Sequence, residues 1–147
     1  MTCRSLSLID PELRHRWHLV DRDWRLTQRR NPRLIVTGAW RTRAEQEALY
    51  ARGRTSPGAI VTNAPPGTSL HEYGLALDFG FVDDVLGKMD WAECRFHQLG
   101  AIAEKYGLRW GGRFQTPDLP HVQAPCSWQR ALAGETVQWP PLGEPRA

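Results

Sequence analysis

The segment covering residues 74–82, GLALDFGFV, constrains the fold more than any other part of the sequence. Its side chains alternate in character, as they do along a β-strand whose residues face opposite sides of a sheet. Leu75, Leu77 and Phe79 point to one face, which we expect to belong to the core. Asp78 points to the other face, between two small residues. Because a carboxylate beside a core needs a charged partner or a metal ion, the segment predicts a core strand that presents one acid to a binding site.

The rest of the chain predicts helices and short strands around this one. Helices are predicted over residues 11–30, 42–53 and 90–106, and short strands over residues 34–37, 108–112 and 120–124. Capping boxes at Thr42 with Glu45 and at Asp90 with Glu93 begin the second and third helices. Residues 54–68 form a connection whose length is typical of functional loops. This order predicts an α+β fold with a small antiparallel sheet and flanking helices.

The length of 147 residues suits a single domain. We expect residues 1–125, including the helix at about 11–30, to form that domain. Residues 126–147 are predicted to be a short, poorly ordered tail with one or two helical turns. Among the seven tryptophans, Trp17, Trp24 and Trp91 fall on helix stripes, so we expect them in the core.

The composition excludes several classes of protein. With 41% hydrophobic and 24% charged residues, the chain has the composition of a soluble globular domain, and no apolar run is long enough for a membrane span. The net charge of +3 is mild, and no nucleic-acid-binding signature accompanies it. Three widely spaced cysteines without a CxxC pair argue against a disulfide framework and against a thiolate zinc site.

Two histidines and two aspartates occur in two short motifs. His71 precedes a turn at Gly74 and can fold back toward Asp78. Asp118 and His121 lie three residues apart in PDLPHVQ, where the prolines forbid a helix. Two imidazoles and one carboxylate, with water in the fourth position, form a catalytic zinc set, and an unligated carboxylate serves such a site as general base.

These motifs resemble those of a known family. SLHEYGLALD and DLPH are similar to the S-x-H-x-x-G-x-A-x-D and D-x-x-H motifs of zinc peptidases that cut peptidoglycan stem peptides. That family comprises D-alanyl-D-alanine carboxypeptidases and the L-alanyl-D-glutamate endopeptidases that phages use as endolysins. GAWRTRAEQEALY and WGGRFQTPDLPHVQ resemble further family segments, in matching order from about residue 34 to 124, and GRTSPGAIVTNAPPGT favours the endolysin branch.

The resemblance implies a hedgehog/D,D-peptidase-like fold, a zinc cofactor and a set of site residues. The implied metal ligands are His71, Asp78 and His121, and the implied catalytic base is Asp118. The implied substrate-binding residues are Arg41, Gln46, Ser69 and Trp110. Arg41 would pair with a substrate carboxylate, and Trp110 would form a wall of the site beside the base. Where the family often has asparagine, this chain has Glu72, whose charge near the metal is expected to alter metal affinity.

The predicted function is therefore a zinc peptidase that hydrolyses the L-alanyl-D-glutamate bond of stem peptides, as a phage or prophage endolysin. The expected partner is bacterial peptidoglycan, with no nucleic acid and no membrane span, and the protein is expected to be a monomer. Because the N-terminus does not resemble a signal peptide, we expect synthesis in the host cytoplasm and action on the cell wall after release.

Three alternatives stay open at this point. The same scaffold could serve a D-alanyl-D-alanine carboxypeptidase or dipeptidase. A site of two histidines and one carboxylate also occurs in non-haem iron oxygenases, although the helix-rich sequence argues against that class. A zinc-stabilised cell-wall binding module without catalysis is the third, and the unligated carboxylate argues against it.

Overall fold

The computed structural model describes residues 3–28 and 31–143. The helices are α1 (Pro11–Thr27), α2 (Arg43–Ala51), α3 (Glu93–Lys105) and α4 (Trp128–Leu132), and the strands are β1 (Arg33–Gly38), β2 (Ala76–Asp83), β3 (Lys88–Met89), β4 (Arg109–Trp110) and β5 (His121–Gln123). Short 3-10 turns occur at Leu6–Leu8, Leu70–Tyr73 and Gly111–Arg113. None of the helices in this part of the chain combines the length and apolar character needed to cross a membrane. The predicted α+β class is confirmed.

The sheet follows the strand order β1-β2-β5-β4, with β3 added to the end of β2, and all its pairs are antiparallel. The strand predicted from alternation is β2, which pairs with β1 on one side and with β5 on the other. In the register of β2 and β5, Asp78 lies opposite His121. The sheet therefore brings the two sequence motifs side by side.

The core lies between one face of the sheet and helices α1 and α3. The rings of Trp24 and Phe81 lie 4.7 Å apart, and those of Trp17 and Phe79 lie 5.8 Å apart. Trp24 Nε1 also donates to the carbonyl oxygen of Pro32 at 2.9 Å, which ties α1 to the start of β1. Full burial of each large apolar side chain contributes roughly 1.5–3 kcal/mol, so this layer holds the sheet in place and leaves its other face for the site.

One of the two predicted capping boxes is wrong. The box at Thr42 is present, but α3 begins at Glu93 with Ala92 as its N-cap. The amide of Asp90 donates to Phe81 O at 2.9 Å, which keeps this residue in an extension of the β2–β3 hairpin. Its carboxylate instead accepts from the amide of Ala92 at 2.9 Å, so Asp90 orders the approach to the helix rather than its first turn.

The tryptophan prediction holds for α1 and fails ahead of α3. Trp17 and Trp24 are 3% and 0% exposed, whereas Trp91 is 66% exposed. Trp91 precedes the first turn of α3 and only stacks on the outer side of Phe96, with ring centroids 6.3 Å apart. Helix α1 ends at Thr27, and residues 29 and 30 of its predicted span lie outside the described residues.

Residues beyond the predicted boundary at 125 pack against the domain. Cys126 is buried in a second apolar cluster with Leu70, and Arg16 of α1 donates from Nη2 to the carbonyl oxygen of Pro140 at 2.6 Å. The Arg16 guanidinium also lies 4.9 Å from the ring centroid of Trp139. The division at residue 125 stays a prediction, but these contacts tie the following segment to α1.

Candidate metal centre and active site

Three side chains from separate elements meet on the open face of the sheet. His71 comes from the turn before β2, Asp78 from β2 and His121 from β5. Each offers one ligand atom to a group whose atoms all lie within 4.8 Å of one another. Gly74 adopts a left-handed conformation with φ of 67° between the first two, and that turn reverses the chain so that both reach the same point. These three residues could hold a metal ion.

The contacts of His71 fix which ring nitrogen faces the group. Its Nδ1 lies 2.7 Å from the carbonyl oxygen of Ala39, which can only accept a hydrogen bond, so Nδ1 carries the proton. Nε2 therefore presents its lone pair, 3.3 Å from Oδ1 of Asp78. His71 is 4% exposed, and its carbonyl oxygen accepts a hydrogen bond from the backbone amide of Arg41 at 3.1 Å. The histidine is positioned before any ligand arrives.

His121 is oriented in the opposite sense. Its Nε2 lies 3.0 Å from Oε1 of Gln123, two residues along β5 on the same face, and donates to it. Nδ1 then faces Oδ1 of Asp78 at 3.1 Å. Such outer contacts of a ligating histidine fix its tautomer and raise its basicity. Gln123 thus fixes the tautomer of His121, as the Ala39 carbonyl fixes that of His71.

The donor set of this group fits a metal ion. Two imidazole lone pairs and a carboxylate oxygen converge, and three acceptors at one point require a cation between them. Two histidines with one carboxylate are a known catalytic zinc set, in which the fourth position stays open to water. The pocket around the group supplies that open side, with a volume of about 530 Å³.

The electrostatics of the group favour positive charge at its centre. Burial opposes ionisation of Asp78, but the neighbouring imidazoles of His121 and His71, which donate to the carboxylate when they are protonated, outweigh burial and hold the pKa of that carboxyl well below its usual range. Burial likewise disfavours protonated His121, yet the Asp78 carboxylate outweighs it and raises the pKa of the imidazole. Asp78 is therefore ionised at neutral pH and attracts a cation.

Asp118 stands beside the group without being part of it. It lines the same pocket, but it is not one of the residues whose ligand atoms lie within 4.8 Å of one another. Although Asp118 is an exposed residue, desolvation of its carboxyl at the pocket wall raises its pKa, and the negative charge of Asp78 acts in the same direction. A carboxyl with a raised pKa near a metal group can both accept and return a proton.

The segment carrying Asp118 is held by close backbone contacts. Its amide donates to Gly111 O at 2.9 Å, and a side chain at Gly111 would overlap the carbonyl oxygen of Asp118. Trp110 Nε1 donates to Leu119 O at 2.8 Å. Trp110 is 2% exposed and is not among the residues that line the pocket, so it lies beneath the segment that carries Asp118, and its role toward a substrate stays a prediction.

Phe114 takes the place on the pocket wall that the sequence indicated for a tryptophan. It lines the pocket, and its ring centroid lies 5.7 Å from that of His121. The sequence analysis missed it, although WGGRF placed an aromatic residue within a few positions of Asp118.

Arg41 lines the pocket on the side of β1. Its Nη2 lies 3.8 Å from Oδ2 of Asp78, its Nη1 donates to Gln46 Oε1 at 2.7 Å, and its buried Nε has no hydrogen-bond partner among the described residues. Gln46 is fully buried and donates to Ala64 O at 2.7 Å, so both ends of its amide are engaged within the protein. Gln46 therefore orients Arg41 and the loop before the site, and its contact with a substrate stays a prediction.

Ser69 and Glu72 also take positions that the sequence left undetermined. Ser69 is largely buried and lines the pocket. The Glu72 carboxylate accepts from the amides of Gly67 at 2.9 Å and Ser69 at 3.2 Å, and it lies 3.5 Å from Nε of Arg43. Its charge is engaged in holding this turn, and Glu72 is not in the metal-binding group, so the expected effect on metal affinity has no direct contact to support it.

Comparison with known proteins supports the relationship that the motifs indicate. Residues 62–124, which contain both motifs, match a family model described as D-alanyl-D-alanine carboxypeptidase. Over 104 residues, the chain is 36% identical to the peptidoglycan L-alanyl-D-glutamate endopeptidase CwlK of Bacillus subtilis (strain 168). The matched region covers 61% of this chain and 59% of that protein. The chain thus spans about three-fifths of the length of this curated relative.

Solved structures share the fold at low sequence identity. The L-Ala D-Glu endopeptidase ChiX of Serratia marcescens superposes with a TM-score of 0.58 at 22% identity, covering 84% of this chain and 87% of that one. A D,D-pentapeptidase VanY from a VanB-type resistance cassette, in complex with Zn(II), gives a TM-score of 0.58 at 17% identity, covering 85% and 76%. The chain is therefore similar to these proteins in the sequence of residues 62–124 and in its fold.

Proposed function

We propose that the protein is a zinc metallopeptidase that hydrolyses peptidoglycan stem peptides at the L-alanyl-D-glutamate bond, as a phage or prophage endolysin. The observation that carries this proposal is the convergence of His71, Asp78 and His121, whose ligand atoms lie within 4.8 Å of one another, beside a separate carboxylate. The similarity to CwlK supports the choice of bond.

The residues of the pocket have distinct roles in this proposal. His71, Asp78 and His121 would hold zinc, which when bound supplies a Lewis acid and lowers the pKa of water toward neutrality. Asp118 accepts the proton that the attacking water releases and returns it to the leaving amino group of the D-glutamyl residue. The raised pKa of Asp118 suits both transfers, because a base with a pKa nearer neutrality also gives the proton back.

Arg41 would bind the carboxylate next to the scissile bond. Its guanidinium lines the pocket, and its Nη2 lies 3.8 Å from Oδ2 of Asp78. An arginine with free donors pairs with carboxylates through charge-assisted hydrogen bonds. The contact with Gln46 fixes its direction, so the carboxylate is met by a donor already in place.

A D-alanyl-D-alanine carboxypeptidase is the second candidate, and the description of the matching family model favours it. The two candidates share the metal chemistry and differ in which peptide bond reaches the His–Asp–His group. A binding module without turnover is a weaker candidate, because a purely structural zinc site fills its four positions with protein ligands and has no use for Asp118.

Purified peptidoglycan treated with the zinc-loaded protein separates these candidates when the soluble fragments are analysed by mass spectrometry with and without a chelator. We expect new L-alanine carboxyl ends and D-glutamate amino ends, lost on chelation and restored by zinc. Release of D-alanine alone would establish the carboxypeptidase instead. Intact peptidoglycan with zinc still bound would leave the binding module.

Substitution of the proposed base provides a second test. Asp118→Ala should retain stoichiometric zinc, measured by atomic absorption, while kcat falls by about 100-fold or more, the usual contribution of a positioned acid–base group. Asp84→Ala is the matched control, because Asp84 is an exposed carboxylate paired with Arg33 outside the pocket. Full activity in Asp118→Ala would contradict its role as base.

A further inference from the structure

A second arginine lies on the same face of the sheet as the metal-binding group. Within β4, Trp110 points into the core and is 2% exposed, so its neighbour Arg109 points to the opposite face and lines the pocket. Arg109 pairs in register with Gln123, the residue that holds His121 from the same face. Arg109 is therefore a pocket residue through the alternation of β4.

The guanidinium of Arg109 has no ion-pair partner among the described residues. Among the described residues it takes part in no salt bridge or side-chain hydrogen bond, whereas the other pocket arginine, Arg41, contacts both Gln46 and Asp78. Arg109 lines the same pocket as Cys126, and its positive charge opposes the rise that burial causes in the pKa of the Cys126 thiol. A free guanidinium in a substrate pocket is available to an anionic group.

The two arginines lie on opposite sides of the metal-binding group. Arg41 follows β1 at one end of the strand order, and Arg109 lies on β4 at the other end, with Asp78 and His121 on the two strands between. Neighbouring strands are about 4.8 Å apart, which places β1 and β4 about 14 Å from each other. A substrate that lies across the strands would meet Arg41 beside the group and Arg109 beyond it.

The distance from the group to Arg109 sets where on a peptide the second anion must lie. Arg109 is one strand away from β5 and two residues along it from His121, according to the register with Gln123. One strand spacing and two residues of strand place the Cα atoms of Arg109 and His121 about 8 Å apart. An extended α-linked peptide covers that distance in roughly two residues, and a γ-linked D-glutamyl residue lengthens the path further, so the residue after D-glutamate reaches the position of Arg109.

We propose that Arg109 binds a second carboxylate of the substrate, on the residue that follows D-glutamate in the leaving fragment, and so makes the enzyme selective for stem peptides in which that carboxyl is free. This inference rests on the proposed function, because the position of the carboxylate is counted from the L-alanyl-D-glutamate bond. Arg41 takes the first carboxylate next to that bond, and Arg109 takes the second.

Two peptides that differ in one group test the proposal. They are N-acetyl-L-alanyl-γ-D-glutamyl-L-lysine with a free C-terminal carboxylate and the same peptide as its C-terminal carboxamide. With the zinc-loaded protein, the free acid should have a KM about tenfold lower than that of the amide, with similar kcat, since a hydrogen bond to a charged group at an exposed position contributes about one factor of ten. Binding of both peptides to the metal-free protein, measured by calorimetry, should show the same preference.

The preference should vanish in Arg109→Gln and persist in Arg25→Gln, which removes an equal charge from an exposed ion pair on α1. Equal KM values for acid and amide in the wild type, or an unchanged preference in Arg109→Gln, would overturn the role of Arg109 while leaving the proposed function intact. Binding that depends on both the carboxylate and Arg109, without cleavage of either peptide, would support the role of Arg109 and contradict the proposed peptidase.

Discussion

Substitution of Gly100 by alanine tests how the core positions the active site. Gly100 lies within α3, where the indole of Trp110 packs directly over its backbone. A Cβ at this position would lie 2.6 Å from Cε2 of Trp110, 2.5 Å from Cε3 and closer still to Cδ2. Carbon atoms in good contact are about 3.5–4.0 Å apart, so the ring must move by about 1 Å or more.

Two effects of opposite sign decide the outcome of Gly100→Ala. Alanine is favoured over glycine inside a helix by about 1 kcal/mol. Overpacking of a core costs about 1–3 kcal/mol, and the upper end applies here because the indole is rigid, buried and fixed by its hydrogen bond to Leu119 O. The balance is a loss of about 2 kcal/mol, or roughly 4–8 °C in Tm for a chain of this size.

Thermal unfolding followed by circular dichroism measures this loss, and zinc affinity measured by competition with a chelator should fall too. The second effect is expected because a displaced Trp110 releases the segment between Asp118 and His121. Ala101→Gly, at the exposed next position of α3, measures the helix-propensity effect by itself. A Tm for Gly100→Ala equal to or above that of the wild type would refute the packing argument.

Two further predictions concern the metal group and the acid stability of the fold. Gln123→Leu removes the acceptor for His121 Nε2–H and should weaken zinc binding by about 10–100-fold in a chelator competition; unchanged affinity would show that this contact does not orient the ring. Burial opposes ionisation of Asp23, but hydrogen bonds from the Tyr106 hydroxyl and the Lys105 ammonium outweigh it and lower its pKa. A lowered pKa contributes stability that is present above the unfolded value of about 3.9 and is lost as the pH falls through the folded value. In urea unfolding, the wild type should therefore lose its advantage over Asp23→Asn as the pH falls below about 4. An advantage independent of pH would contradict this assignment.

Local patterns account for the parts of the structure that depend on nearby residues. The alternation around Asp78 identified β2, because the side-chain period of a strand is independent of what packs against it. The capping box at Thr42 was predictable because both its hydrogen bonds lie within three residues. Asp90 offered the same pattern but failed, because its backbone is committed to the β2–β3 hairpin through Phe81.

Tertiary contacts decided the roles of the residues around the site. Trp91 lies outside the core although it was predicted inside, because α3 begins after it and no element within residues 3–28 and 31–143 covers its ring. The fold buries Gln46 and Trp110 and uses them to hold Arg41 and the Asp118 segment, a role that the sequence did not indicate.

The sequence by itself determined the chemical types at the site: two imidazoles, two carboxylates and a motif order that fixes which elements carry them. Only the tertiary structure decided which nitrogen of His71 and of His121 faces Asp78, since the carbonyl of Ala39 and the amide of Gln123 that set those tautomers come from the packing of β1 and β5 around the group. It also decided that Arg109 faces the pocket, because the register with β5 determines which side chain of the two-residue strand β4 lies on which face of the sheet. The sequence thus determines which ligand groups are present, whereas the fold determines the direction in which each of them points.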